Sequence, residues 1–323
     1  VQLHPKTSGK MKKHVISLLF IALSLSAFPQ EGSLSDMFND EEALKEKTPV
    51  IATFKTTRLI NTQTIEQVKH GELDFLISHH FDDIAGKAGG VQTLYGFDNV
   101  TDIRLSFDYG ITDNWCVGFA RSKGAYLHRQ ILDFSSKYKL ISQRKNGGFP
   151  LTISAYVIAG LTTMKSSEDI YAVNYFKDKF SHRMNYVGQL IIARKITSGI
   201  SLELLPTYIH RNYVHYTDKN ELFALGIGGR IKFTKRMGIV FDYYYVFDKI
   251  RTPKNGYYSP LGIGLEIETG GHVFHILFSN NKGLIESQFL TENHSSWLKG
   301  EFRLGFNISR IFNVIKKKKN END

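Results

Sequence analysis

From residue 72 onward the sequence alternates apolar and polar residues with a period of two, run after run, and that rhythm restricts the chain to strands with one wet and one greasy face. Ile103, Leu105, Phe107 and Tyr109 share one face, with Arg104, Ser106 and Asp108 on the other. Phe223, Leu225, Ile227, Ile231 and Phe233 alternate with Ala224, Gly226, Gly228, Arg230 and Lys232. Ile239, Phe241, Tyr243, Tyr245 and Phe247 form a further row, and Ile263, Leu265 and Ile267 oppose Gly264, Glu266 and Glu268. Phe302, Leu304, Phe306 and Ile308 oppose Glu301, Arg303, Gly305, Asn307 and Ser309. The pattern predicts twelve strands, at 72–80, 101–110, 114–121, 131–144, 150–163, 183–196, 200–212, 222–233, 238–248, 261–268, 272–281 and 299–309.

The connections alternate as strictly as the side chains. Thr112-Asp113, Asn146-Gly147-Gly148, Thr197-Ser198-Gly199, Lys235-Arg236 and Gly270-Gly271 are tight turns. Between them fall long polar stretches around 81–100, 122–130, 164–182, 213–221, 249–260 and 282–298. Short turns on one side and long loops on the other are the habit of outer-membrane barrels, and a soluble sandwich has no physical reason to sort its connections so. The expected fold is therefore all-β: a transmembrane antiparallel β-barrel of about twelve strands over 71–312. Closure also removes the two unpaired edges that an open sheet would expose.

Composition fits this reading. Mean hydropathy is only −0.22, as expected when every second strand residue faces away from lipid. Aromatics reach 13%, and there are 27 glycines to 7 prolines, a skew that aromatic girdles, tight turns and a crowded lumen would produce.

Ahead of the barrel, Met11-Lys12-Lys13-His14 opens a charge-free run, Val15–Phe28, that ends at Pro29-Gln30-Glu31. That run is too short for a membrane-spanning helix, which needs about 20 residues, and reads as a cleavable N-terminal signal peptide over 11–30. Residues 1–10 are expected to be a spurious upstream extension, and 31–70 a short periplasmic leader. Within the leader, Val50–Ile60 looks like a thirteenth strand. An even-stranded barrel leaves it three places: the periplasmic mouth, the lumen, or the rim. Residues 313–323 are expected to be a basic disordered tail around Lys316–Lys319, which supplies part of the net charge of +10.

Three runs carry a family resemblance: Thr56-Thr57-Arg58-Leu59-Ile60-Asn61, Gly71-Glu72-Leu73-Asp74-Phe75-Leu76-Ile77-Ser78-His79, and Leu105-Ser106-Phe107-Asp108-Tyr109-Gly110-Ile111-Thr112-Asp113. They resemble an uncharacterised family of Gram-negative outer-membrane β-barrels, a domain of unknown function, over about 45–310. The resemblance implies a fold and a location and brings no catalytic residue.

Candidate chemistry is sparse. Cys116 is the single cysteine and is expected to be a small hydrophobe, so no disulfide forms within the chain. The paired His79 and His80 point to opposite strand faces, as do His272 and His275, while His210 and His215 span a strand end and a loop; none predicts a metal site. A barrel lipase would need a serine and histidine together on the lipid-facing rim, and neither Ser106 nor Ser279 is marked out by its neighbours. The chain is therefore read as no enzyme, with no cofactor. The acidic clusters Asp40-Glu41-Glu42 and Asp82-Asp83 are expected to be solvated, with divalent bridging to lipopolysaccharide as the alternative. Nucleic acid is excluded by the export signal and the lack of any binding motif. The expected partners are outer-membrane lipid and lipopolysaccharide, the barrel-assembly machinery during biogenesis (the last strand holds Phe306 and runs towards Phe312), and a small solute or an envelope protein.

The inward rows supply the candidate site. Arg104, Asp108, Arg230, Lys232, Asp242, Glu266, Glu268, Glu301 and Arg303 should line the lumen if the aliphatic rows meet lipid. Mixed charges in a narrow lumen allow two outcomes. They line a narrow channel or binding site for a small solute, or they pair off and fill a structural barrel that acts through its outer loops.

Overall fold

The computed structural model describes residues 48–98, 102–124, 128–145, 148–177 and 179–315. The expected signal peptide, the upstream extension, the Asp40-Glu41-Glu42 cluster and the lysine tail lie outside these residues.

Twelve antiparallel strands form one closed barrel: β1 (Glu72–Asp83), β2 (Asp102–Thr112), β3 (Trp115–Lys123), β4 (Gln130–Ile141), β5 (Thr152–Thr162), β6 (Met184–Lys195), β7 (Ile200–Arg211), β8 (Glu221–Lys232), β9 (Met237–Val246), β10 (Leu261–Glu268), β11 (Val273–Ser279) and β12 (Arg303–Asn313). Each strand pairs with its sequence neighbours, and β1 closes on β12 from Glu72↔Asn313 to His80↔Gly305. Every strand of the pattern is present. Most are long enough to cross a hydrocarbon layer when tilted, for which about 9–11 residues suffice.

The period of two settles which face is which. Outward positions stay apolar and exposed, as at Phe107 (41%), Ile227 (40%) and Ile263 (47%). Trp115 lies opposite Tyr138 at the turn end of β3 and β4, and Tyr208 stacks near Phe223 at the loop end of β7 and β8. Aromatic side chains therefore mark both rims of the apolar band.

Most strand limits shift by a few residues from the pattern, and two of the larger shifts have a local reason. Strand β4 stops at Ile141, before the expected 144, because the next residues bind another segment: Val50 N donates to Gln143 O, and Lys145 N to Thr48 O. Of the turn foreseen at Asn146-Gly147-Gly148, the first two residues lie outside the described residues. Strand β12 starts at Arg303, later than 299, because Trp297–Lys299 coils into a short turn ended by Gly300 in the left-handed region (φ 72°).

Val50–Ile60 is no strand of the wall and divides between two of its three possible places. Val50 bonds Gln143 O beyond the end of β4, and from residue 53 the chain enters the lumen, where 53–65 are buried except for half-buried Lys55.

Candidate functional site

The interior is filled by two segments that enter from opposite ends. From the turn side, where β1 begins and β12 ends, residues 53–66 run in as a hairpin. Leu59 N donates to Thr62 O (2.9 Å) and Thr64 N to Thr57 O (2.9 Å), so Ile60 and Asn61 form the tip. The chain returns along Gly110, whose lack of a side chain is required: a Cβ there would meet Lys69 O at 2.0 Å. Gly71, in the left-handed region (φ 74°), then turns it into β1.

The wall holds the tip with polar groups. Asp242 on β9 accepts three hydrogen bonds, from Asn61 N (2.6 Å), Thr62 N (3.0 Å) and Asn61 Nδ2 (3.0 Å). Asn307 Nδ2 on β12 donates to Leu59 O (2.9 Å) and Ile60 O (3.0 Å). Lower down, Thr57 Oγ1 donates to Asp74 Oδ2 (2.9 Å), and Lys55 pairs with Glu268 (2.9 Å). Apolar packing adds to the seat: Phe54, Leu59, Ile60 and Ile65 join Leu205, Ile209, Val240 and Tyr244 in one buried cluster. Space for the tip comes from the inward glycines. A Cβ on Gly262 would lie 2.7 Å from the Ile60 side chain, and one on Gly228 would lie 2.9 Å from Leu59.

From the loop side, the β11–β12 connection dips inward with a single helical turn, α1 (Glu286–Phe289), which is buried throughout. It meets the hairpin. Arg58 Nη1 donates to Leu284 O (3.1 Å), Arg58 Nη2 lies 3.7 Å from Glu286, and Asn281 Nδ2 donates to Asn61 Oδ1 (2.9 Å). Phe289 packs on Tyr244.

The structure places the nine charges read from the sequence as follows. Arg104, Arg230, Asp242, Glu266 and Arg303 are buried on the inner face, and Asp108 is half-buried on the same row. Arg104 forks onto Asp133 with hydrogen bonds of 2.5 and 2.8 Å. Arg230 donates to Glu266 (2.7 Å), whose other oxygen lies 3.2 Å from His275 Nε2. Arg303 binds Asp83 and donates to Asn280 O (2.7 Å). Lys232 and Glu268 are half-buried at the turn-side ends of their strands. Glu301 departs from the inward row: it lies before β12, where its carboxylate accepts from Ser296 N (2.9 Å), because the Trp297–Lys299 turn displaces the start of the strand.

The sequence reading passed over Asp74, Asp133, Lys137 and Glu203, which are buried on inward rows. The same alternation marks them: Asp133 and Lys137 sit four apart on β4, and Glu203 alternates with Leu202 and Leu204. Arg58 carried no such signal, since nothing in its run tells a lumen hairpin from a wall strand.

The remaining candidates are placed just as plainly. Cys116 is buried facing inward, with Sγ 3.0 Å from Gln67 Oε1. Ser106 donates to Leu76 O (3.3 Å) and Ser279 to Asn281 Oδ1 (2.5 Å), so both hydroxyls are committed inside the barrel, away from the lipid-facing rim. Asp82 pairs with Lys282 (3.1 Å). Among the described residues no cluster of His, Cys, Asp or Glu is arranged to hold a metal ion.

Above the membrane band, an ion-pair clamp joins three outer connections. Arg251 donates to Asp218 (2.8 Å), Asp248 (2.6 Å) and Thr291 O (2.9 Å), and Arg211 donates to Asp218 (2.8 Å). Burial opposes ionisation of Asp218, but the hydrogen bonds from Arg251 and the charge of Arg211 outweigh it and hold the carboxyl well below the usual carboxylate range. A hydrogen bond to Glu292 raises the His294 imidazole above its ordinary value. Burial lowers His128.

A closed barrel with an apolar girdle and a filled polar interior defines an integral membrane β-barrel. Residues 54–312 match the family described as membrane bound beta barrel domain (DUF5777), and the chain belongs to that family. No curated protein matches the sequence. Among solved structures it is similar to the NanC porin (8% identity, TM-score 0.46, covering 75% of this chain and 100% of that one). It is also similar to the KdgM porin in complex with disordered oligogalacturonate (10%, 0.44, 75% and 99%) and to the COG4313 outer membrane channel from Pseudomonas putida F1 (13%, 0.41, 77% and 98%).

Proposed function

We propose that the protein is an outer-membrane channel for a small solute, held shut in this conformation by its own residues 53–66 from the turn side, against the inward-dipping β11–β12 connection on the loop side. The observation that carries the reading is the hairpin itself: it occupies the turn-side part of the lumen, is no part of the wall, and is seated by hydrogen bonds to wall side chains and by the packing of Phe54, Leu59, Ile60 and Ile65. Among the described residues no backbone ladder ties 53–66 to a wall strand, so the hairpin can leave without taking the barrel apart. The sorting of short turns and long loops supports the outer membrane as its location.

A cross-link tests this. Ile60→Cys with Gly262→Cys, in a Cys116→Ser background, places two thiols where the tip meets the wall. Liposomes carrying the oxidised protein should exclude small solutes, and reduction should admit them. Equal and negligible flux in both states, with the barrel folded, would sink the channel reading.

The Arg251 clamp favours a second reading, in which a closed barrel presents ordered outer loops to an envelope partner. It expects partner capture that is lost on trimming 164–182, and no flux.

A further inference from the structure

The charges of the inner wall divide into two sets. Arg104 with Asp133, Arg230 with Glu266 and Arg303 with Asp83 neutralise one another. The other set is Asp74, Asp108, Glu203 and Asp242 against Lys137, with Lys139, Lys195 and Lys232 half-buried on inward rows towards the turn-side ends of their strands, and among the described residues none of these four carboxylates has a basic partner within 4.0 Å. What faces them is the hairpin and the wall's own hydroxyls. Asp74 accepts from Thr57 and Ser309, and Asp242 from Asn61 and Thr62. Lys137 Nζ donates to Thr64 O (3.1 Å). Glu203 is 3% exposed and has no hydrogen-bond partner for either oxygen among the described residues; its carboxylate and the Leu59 side chain both border the space beside Gly228.

Burying an unpaired carboxylate is costly, and the hairpin does not relieve Glu203. Seating the hairpin accounts for Asp242, whose two oxygens accept three of its N–H groups, but not for Glu203, which no hairpin group bonds among the described residues. From these unpaired carboxylates we infer that the solute is cationic: once the hairpin is withdrawn, taking Lys55 from Glu268 and Arg58 from the lumen, Asp74, Asp108, Glu203 and Asp242 against Lys137 line the passage inward of Lys139, Lys195 and Lys232 and select cations over anions, as rings of Asp and Glu do in cation channels. In the closed state the hairpin already carries a guanidinium, that of Arg58, into the lumen, where it is 2% exposed. The inference rests on the channel reading above.

The test uses the full chain. Thr57→Asp sets a carboxylate against Asp74, and Asn61→Asp sets one against Asp242; like-charge repulsion should displace the hairpin in each case. Heat-modifiable mobility on gels checks that the barrel is folded. Where neither variant folds, the reduced Ile60→Cys/Gly262→Cys protein serves in their place. In planar bilayers under a tenfold KCl gradient, the open variants should reverse on the potassium side, with several-fold preference for K⁺ over Cl⁻. Adding Glu203→Gln or Asp108→Asn should move the ratio towards unity. Conductance that prefers chloride, or a potassium preference that neither amide substitution moves, overturns the cationic solute and leaves the channel standing. No conductance from any folded variant overturns the channel, and the cationic solute with it.

Discussion

The seat of the hairpin tip should yield to one substitution, Asp242→Ala. The carboxylate accepts two backbone and one side-chain hydrogen bond, all within 3.0 Å, at a site 1% exposed. Hydrogen bonds to a charged group contribute about 1.5–3 kcal/mol each, and three on one carboxylate are not additive, so roughly 3–5 kcal/mol is a fair loss for the set. Each 1.4 kcal/mol is about tenfold in an equilibrium, which shifts the ratio of seated to withdrawn hairpin by about two to four powers of ten. The chain carries its own reporter. Cys116 is 2% exposed beneath Gln67, on the returning arm of the hairpin, and it is the single cysteine. When opening is fast relative to labelling, the rate of reaction with a maleimide follows the open population. Labelling of the folded variant in detergent should therefore accelerate at least a hundredfold over wild type. An unchanged labelling rate, with normal heat-modifiable mobility, would refute the claim that Asp242 holds the tip.

Three further outcomes are expected. Arg104→Ala strands Asp133 without its bidentate partner and should lower unfolding stability in urea by about 3–5 kcal/mol, with Arg104→Lys recovering only part of it. Arg251→Ala removes the partner shared by Asp218 and Asp248 and should open 213–220 and 247–260 to limited proteolysis while the barrel stays folded. The clamp should also respond to pH in two directions. The folded-state value of Asp218 is depressed, so its contribution is present above the ordinary 3.8 and is lost only as pH falls through the lower folded value. That of His294 is raised, so its contribution is full below 6.5 and lost as pH rises through the folded value. The protection of amides 291–296, their exchange rate divided into the intrinsic rate at each pH, should thus stay high at mildly acidic pH and fall on the alkaline side; protection that is constant or rises there would contradict the assignment.

The wall was legible in the sequence because lipid and lumen impose opposite demands on adjacent residues, and rows such as Ile103 to Tyr109 obey both. Parity was legible too: Val50–Ile60 alternates like a strand, yet an even count leaves it no place in the wall. Its destination was not legible, because a hairpin packed in a lumen that is apolar on one side and polar on the other obeys the same local pattern as a wall strand. Inward Gly228 and Gly262 were the available hint, since glycines on a lumen row make room for something inside. The pairing of charges was hidden for a different reason. Arg104 meets Asp133 across two strand boundaries, a relation set by register and tilt that one-dimensional alternation does not contain. Glu301 was misplaced where a short coil delayed its strand.

The hairpin sits directly upstream of β1, and both its arms enter through the turn-side end of the barrel, touching β1, β4, β7 and β10. A doubled-back loop of that kind can slide into a finished cylinder and out again without any chain end having to be threaded through it. The seam from Glu72 to His80 can therefore zip before the interior is filled, and filling the lumen need not be a condition of assembly.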